Sequence, residues 1–142
     1  MSAYVDSSFL VSSYITDAHS ERVDTCMAGS PSVWLTEFNR AELANAIFQQ
    51  VFLKRLTPAD AAQVWSDFKR DSADGVWTGV GFPSRAWETT IDLARRYGPA
   101  LGIRTLDSLH VASALELRAD KFWTFDERQA KLAEAVGLDT NP

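Results

Sequence analysis

The chain has a single cysteine, Cys26, in 142 residues, so no intrachain disulfide can form. Its Cys and two His fall at no spacing that suggests a zinc site. No apolar run reaches the roughly 18 residues of a membrane span, and there is no secretory h-region. A soluble cytoplasmic protein without a membrane partner is therefore expected. Basic charge is also scarce: 14 Lys and Arg stand against 19 Asp and Glu, a net charge of −5. That balance argues against loose, charge-driven adhesion to nucleic acid, so any RNA must be gripped by a local feature. Repeats, low-complexity tracts and linkers are missing too, and the length suits one domain over residues 1–142.

Hydrophobic residues are plentiful. They make up 46% of the chain, with eight Phe and five Trp, which is enough for a core without a disulfide or structural metal. Apolar runs alternate with helical patterns. Residues 3–5 predict a short buried strand ending at Asp6, with Ser7 or Ser8 placed to cap the next helix. A helix over 21–27 and a turn at 29–31 lead to a second strand at 33–35, after which Thr36 caps a long helix reaching Arg55. Thr57 and Pro58 open a helix to about Lys69, broken by 71–75. A third strand follows at 76–78, then a helix from Ser84 to Tyr97, a loop through Gly98, Pro99 and Gly102, and a helix over 104–115. The last strand, 121–125, ends at Asp126. Such alternation predicts an α/β fold with three α/β/α layers: a short central parallel sheet and helices on both faces.

Ligands of open parallel sheets bind at the carboxyl ends of the strands, where "AYVD" and "FWTFD" place Asp6 and Asp126 on one edge. Asp107 shares a helix side with His110 and Ala114, flanked by Leu106, Val111, Leu115 and Leu117, a setting with little solvent. Glu42 is ambiguous, because its wheel neighbours include Asn45 and Gln49 as well as Phe38, Ala46 and Leu53. Each acid alone is explained as a turn or helix cap, or as a charge gaining roughly 0.3–1 kcal/mol from a helix dipole. Gathered in one place they are costly: two carboxylates about 4 Å apart repel by about 4 kcal/mol at an effective dielectric of about 20. Such a cluster implies a cation, and oxygen-only donors suit Mg²⁺ or Mn²⁺. These ions polarise a phosphodiester and supply hydroxide at neutral pH, so hydrolysis of nucleic acid is the chemistry expected.

Other residues carry plainer readings. His110, packed among Leu and Val, reads as a hydrogen-bonded core residue, and Cys26 as a small buried hydrophobe. Arg40 and Arg104 lie nearest the acids in sequence and are the candidates for RNA phosphate contacts. The apolar face of the long helix, with Ile47, Phe48, Val51 and Phe52, exceeds what a small sheet needs, so part of it is expected to meet a partner.

Four segments, "YVDSSFLVSSY", "NRAELANAI", "ARRYG" followed by "RTLDSLHVASAL", and "FWTFDERQAKLAEAVGL", resemble PIN-domain proteins, in particular VapC-type toxins of type II toxin-antitoxin systems. The resemblance spans almost the whole chain, in order and spacing. It implies a PIN-like fold and a Mg²⁺-dependent endoribonuclease, with Mn²⁺ as a substitute, that leaves 5′ phosphate and 3′ hydroxyl ends. It also implies a cognate antitoxin that covers the groove and sends a basic side chain to the carboxylates, and a homodimer. Matching motifs make Asp6, Glu42, Asp107 and Asp126 the catalytic and metal-binding acids, which resolves Glu42. A serine just after the first acid belongs to such a site, and Ser8 is preferred over Ser7. The rival readings are a catalytically inactive PIN-like module binding RNA or protein, and a Mg²⁺-dependent phosphatase. The first calls for loss of an acid, and the second needs an Asp where Ser8 stands.

Overall fold

A computed structural model describes residues 1–142. The chain runs β1 (Ser2–Val5), α1 (Ser7–Tyr14), α2 (Ser20–Met27), β2 (Ser32–Leu35), α3 (Glu37–Phe52), α4 (Pro58–Ala73), β3 (Trp77–Gly79), α5 (Ala86–Leu101), α6 (Thr105–Leu117), β4 (Lys121–Trp123) and α7 (Glu127–Ala135). The four strands form one sheet in the order β3-β2-β1-β4, every pair parallel. β1 is therefore central, with Tyr4 level with Trp34 on one side and Phe122 on the other.

Side chains alternate across a strand, so this sheet feeds two cores. Ala3, Val5, Val33 and Trp123 point to the layer built by α1, α2, α3 and α4, where Phe9, Leu10, Val23, Leu43, Ile47 and Phe68 are buried. Tyr4 and Phe122 point to the other layer and meet Leu93, Leu109, Val111 and Leu132 from α5, α6 and α7. The three layers expected from the sequence are thus present. No helix is long and apolar enough to cross a membrane.

Boundaries differ from the sequence expectation where a backbone bond outweighs a local signal. Asp6, not Ser7 or Ser8, caps α1, its carboxylate accepting from the amide of Phe9. α3 ends at Phe52, three residues short of Arg55, because Lys54 turns into the left-handed region (φ 57°) and the Arg55 amide folds back onto the Gln50 carbonyl. α4 absorbs residues 71–73 and stops only ahead of Gly75, whose φ of 82° ends it. α5 runs on through Gly98 and Pro99 to Leu101, and its first residue follows Arg85, with no side-chain cap from Ser84. A proline in the last turn forfeits one helical bond, a cost the turn tolerates, and Gly102 (φ 60°) then ends the helix by donating to the Gly98 carbonyl at 2.9 Å. β4 is two residues shorter than expected, so Asp126 sits beyond its end as the cap of α7.

Candidate active site

The carboxyl ends of β1 and β4, the start of α6 and the second turn of α3 meet around one cleft of about 760 Å³, lined among others by Asp6, Ser8, Glu42, Asp107 and Asp126. All four predicted acids are brought together.

Asp6 is fully enclosed, being 1% exposed. Its Oδ1 accepts from Ser8 Oγ at 2.7 Å and from the Phe9 amide at 3.1 Å, and its Oδ2 accepts from Thr124 Oγ1 at 2.8 Å. Burial pushes its carboxyl above the ordinary carboxylate range. The nearby His110 and the donors Ser8, Thr124 and Phe9 pull the other way without cancelling it. Ser8, the preferred serine, also accepts from the amide of Phe125 at 3.0 Å, so it fastens the loop after β4 to the first acid.

Thr124 was not singled out in the sequence. It donates to Asp6 and accepts from the amide of Asp126 at 3.0 Å, tying two acids together. The signal was there as a hydroxyl two residues before the last acid in "WTFD". Gln129, also missed, plays the same part on the other side. Its amide nitrogen donates to Asp107 Oδ1 at 3.1 Å, and its backbone donates to the capping Asp126 Oδ1 at 2.9 Å. The side-chain oxygen of Gln129 is buried at this cleft and finds no donor within the chain.

Asp107 lies in the first turn of α6 with its side chain 10% exposed. Its Oδ2 accepts from Arg104 Nε at 3.0 Å, and the same guanidinium reaches within 4.0 Å of Asp126 Oδ2. Arg104 is therefore a counter-ion lodged between two acids of the cleft, while most of its own side chain stays in solvent. Arg40, the other cation expected here, is not brought to the cleft. It lines a separate depression with Leu35, Lys69 and Trp77, because two residues' separation from Glu42 puts it on another side of α3. Leu106, taken in the sequence as flanking packing, is 51% exposed and forms part of the cleft wall.

Glu42 shares its side of α3 with Ala46 and Gln50, all three facing the cleft. Its Oε1 is hydrogen-bonded to His110 Nε2, whose ring is buried and stacked on Phe38 at 4.3 Å. His110 Nδ1 in turn meets the Tyr4 hydroxyl at 2.9 Å. Burial pushes the Tyr4 phenol above its ordinary range, so the hydroxyl keeps its proton where it meets Nδ1. A carboxylate only accepts, so Nε2 donates to Glu42. His110 is the supporting core histidine expected from the sequence.

As the side chains stand, no three His, Cys, Asp or Glu groups are close enough to enclose an ion. Three of the acids are held by donors of the chain: Asp6 by Ser8 and Thr124, Glu42 by His110, and Asp107 by Gln129 and Arg104. The donor set nevertheless fits a hard divalent cation. It consists of carboxylate oxygens, one orphaned amide oxygen stands beside them, and a side-chain cation already occupies the space between two of the acids.

The sequence profile of the PIN domain matches residues 3–135. No curated protein matches the sequence. Among solved structures, the chain is similar to VapC20 from Mycobacterium tuberculosis, a Sarcin-Ricin loop cleaving toxin, with a TM-score of 0.69 and 15% identity over 99% of each chain. It is similar to FitAcB from Neisseria gonorrhoeae at a TM-score of 0.68 and 16% identity, covering 99% of this chain and 96% of that one. VapBC2 from Rickettsia felis, bound to a DNA fragment from their promoter, gives 0.67 and 14%, covering 99% and 98%. At these identities the likeness is one of fold.

Proposed function

The chain belongs to the PIN domain family, and on that premise we propose that it is a Mg²⁺-dependent endoribonuclease, the toxin of a toxin-antitoxin pair. The observation that carries this reading is the convergence of Asp6, Glu42, Asp107 and Asp126, from four separate elements, on one cleft already holding a side-chain cation. The four acids would hold one or two Mg²⁺ or Mn²⁺ ions. When bound, such an ion supplies a Lewis acid for the scissile phosphate and lowers the pKa of an attacking water.

The chain's own residues do the rest. Ser8 and Thr124 hold both oxygens of Asp6 in one orientation. The Tyr4–His110 pair does the same for one oxygen of Glu42 and leaves the other free. Arg104 has to leave Asp107 when the acids take a cation, and its exposed guanidinium is then available to a phosphate of the substrate. An antitoxin would use the same electrostatics, placing a basic side chain where Arg104 now stands. A homodimer would cover Phe48, Phe52 and Leu53 at the end of α3, which are 44%, 83% and 42% exposed, whereas Ile47 of the same predicted face is already used by the core. The site of action would be the cytoplasm, where an RNA-cleaving toxin meets both substrate and antitoxin.

Purified protein incubated with total RNA in Mg²⁺, in Mn²⁺ or in EDTA, beside an Asp6→Ala variant, tests the reading through the 5′ ends produced. Discrete cleavage that both EDTA and the variant abolish is expected. Equal cleavage by the variant would show a contaminating nuclease. RNA binding without cleavage under every condition would favour the inactive module. A finer prediction concerns Arg104. Because the guanidinium side of its pair with Asp107 lies in solvent, Arg104→Gln should tighten Mn²⁺ binding only modestly, by roughly two- to fivefold, while weakening RNA affinity. Titration of Mn²⁺ followed by electron paramagnetic resonance reads the first effect, and weaker Mn²⁺ binding by the variant would contradict the displacement.

A further inference from the structure

Four aromatic rings form one column running from the core to the wall of the acidic cleft. Trp123 at the end of β4 and Phe9 on α1, both buried, lie with ring centroids 5.7 Å apart and planes 23° apart. Phe9 faces the half-buried Phe125 at 5.6 Å and 15°. Phe125 faces the exposed His19 at 4.4 Å and 7°, nearly parallel. The rings flatten onto one another as the column leaves the core, and its last member covers Phe125 while its own other face carries no ring.

The turn bearing His19 is tied down as well. Its backbone amide donates to Asp17 Oδ1 at 2.8 Å, and Asp17 Oδ2 accepts from the α1 residue Ser12 at 2.7 Å. An exposed histidine ahead of a helix ordinarily samples several rotamers. Here the imidazole is held as a flat platform on a foundation that reaches the core. It lines the same cleft as the four acids, and Phe125 beneath it is the residue before Asp126.

Resting on the nuclease reading above, we propose that His19 is a stacking platform for a nucleobase of single-stranded RNA, placed beside the phosphate cut at the carboxylates. Every base has a π face, so an aromatic platform holds a strand without reading its hydrogen bonds, and the larger face of a purine gains most. This also answers how an acidic protein of net charge −5 retains RNA at an acidic cleft. Part of the grip comes from stacking, which does not depend on net charge.

The test uses a short single-stranded RNA substrate carrying 2-aminopurine near the cleavage site, in Mg²⁺, with wild type, His19→Ala and His19→Phe. His19→Ala should raise KM, and the dissociation constant read by 2-aminopurine quenching, by roughly 5- to 100-fold, with kcat changed less than about threefold. His19→Phe should restore KM, because a phenyl ring stacks but has no nitrogens. Unchanged KM and quenching in His19→Ala, while wild type cleaves, would overturn the platform and leave the nuclease reading intact. Failure of His19→Phe to restore KM would also overturn it, assigning His19 a role through its ring nitrogens. Wild-type protein that binds the RNA in a His19-dependent way without cutting it would uphold the platform and sink the nuclease reading. Protein that neither binds nor cuts would sink both.

Discussion

Asp6→Asn should lower kcat for RNA cleavage by on the order of a thousandfold, the loss of several kcal/mol of transition-state stabilisation expected when a metal-holding carboxylate is neutralised. The fold should survive. An asparagine oxygen still accepts from the Phe9 amide and the Ser8 hydroxyl, so the cap of α1 is kept. Removing the charge should even help the metal-free protein. Burial holds the Asp6 carboxyl above its ordinary value, which means the fold favours its protonated form. That contribution is complete below the ordinary carboxylate range and is lost as pH rises through the folded-state value. Metal-free wild type should therefore lose stability relative to Asp6→Asn as pH climbs from the carboxylate range toward neutrality, and Mg²⁺ should restore it to wild type alone. Denaturant melts at several pH values, with and without Mg²⁺, read both effects. Parallel pH curves for the two proteins would contradict the burial argument.

His110→Ala should have the second large effect, this time on stability and activity together. The truncation opens a cavity beside Phe38 and leaves the Tyr4 hydroxyl, in the second core, without its imidazole partner. A cavity plus the loss of a buried hydrogen bond costs about 3 kcal/mol, which for a domain of this size is a fall of roughly 10 °C in Tm. Glu42 also loses the donor that orients it, so more Mg²⁺ should be needed for half-maximal activity. His110→Gln, whose amide can still donate toward Glu42, should recover much of the Mg²⁺ requirement but less of the Tm. Should His110→Ala match wild type in Tm and in Mg²⁺ requirement, the histidine would be a bystander.

Asp6 and Asp126 were legible because a charge that closes an apolar run stands out locally. Glu42 was harder, and its surroundings give the reason. It shares its side of α3 with Ala46 and Gln50, which form a cleft wall, and a cleft wall is neither the apolar stripe nor the solvated face that a helical wheel separates. Only the resemblance to known motifs resolved it. Thr124 and Gln129 went unread because a lone hydroxyl or amide is commonplace in any sequence and gains meaning only from what it touches. Arg40 and Arg104 looked alike by nearness to acids, and the pitch of a helix sent one to the cleft and the other away.

What the sequence by itself determined is the order of strands and helices, the parallel sheet between two helical layers, and the edge at which Asp6 and Asp126 emerge. All of these follow from periodicity and from the chemistry of residues a few positions apart. Only the tertiary structure decided the partners: Thr124 on Asp6 from 118 positions away, and His110 on Glu42 from 68. It also decided that Arg104 stands between two acids and that His19 lies flat on Phe125. Contacts at such separations are set by how whole layers pack, and the short-range pattern of a chain carries no record of that packing.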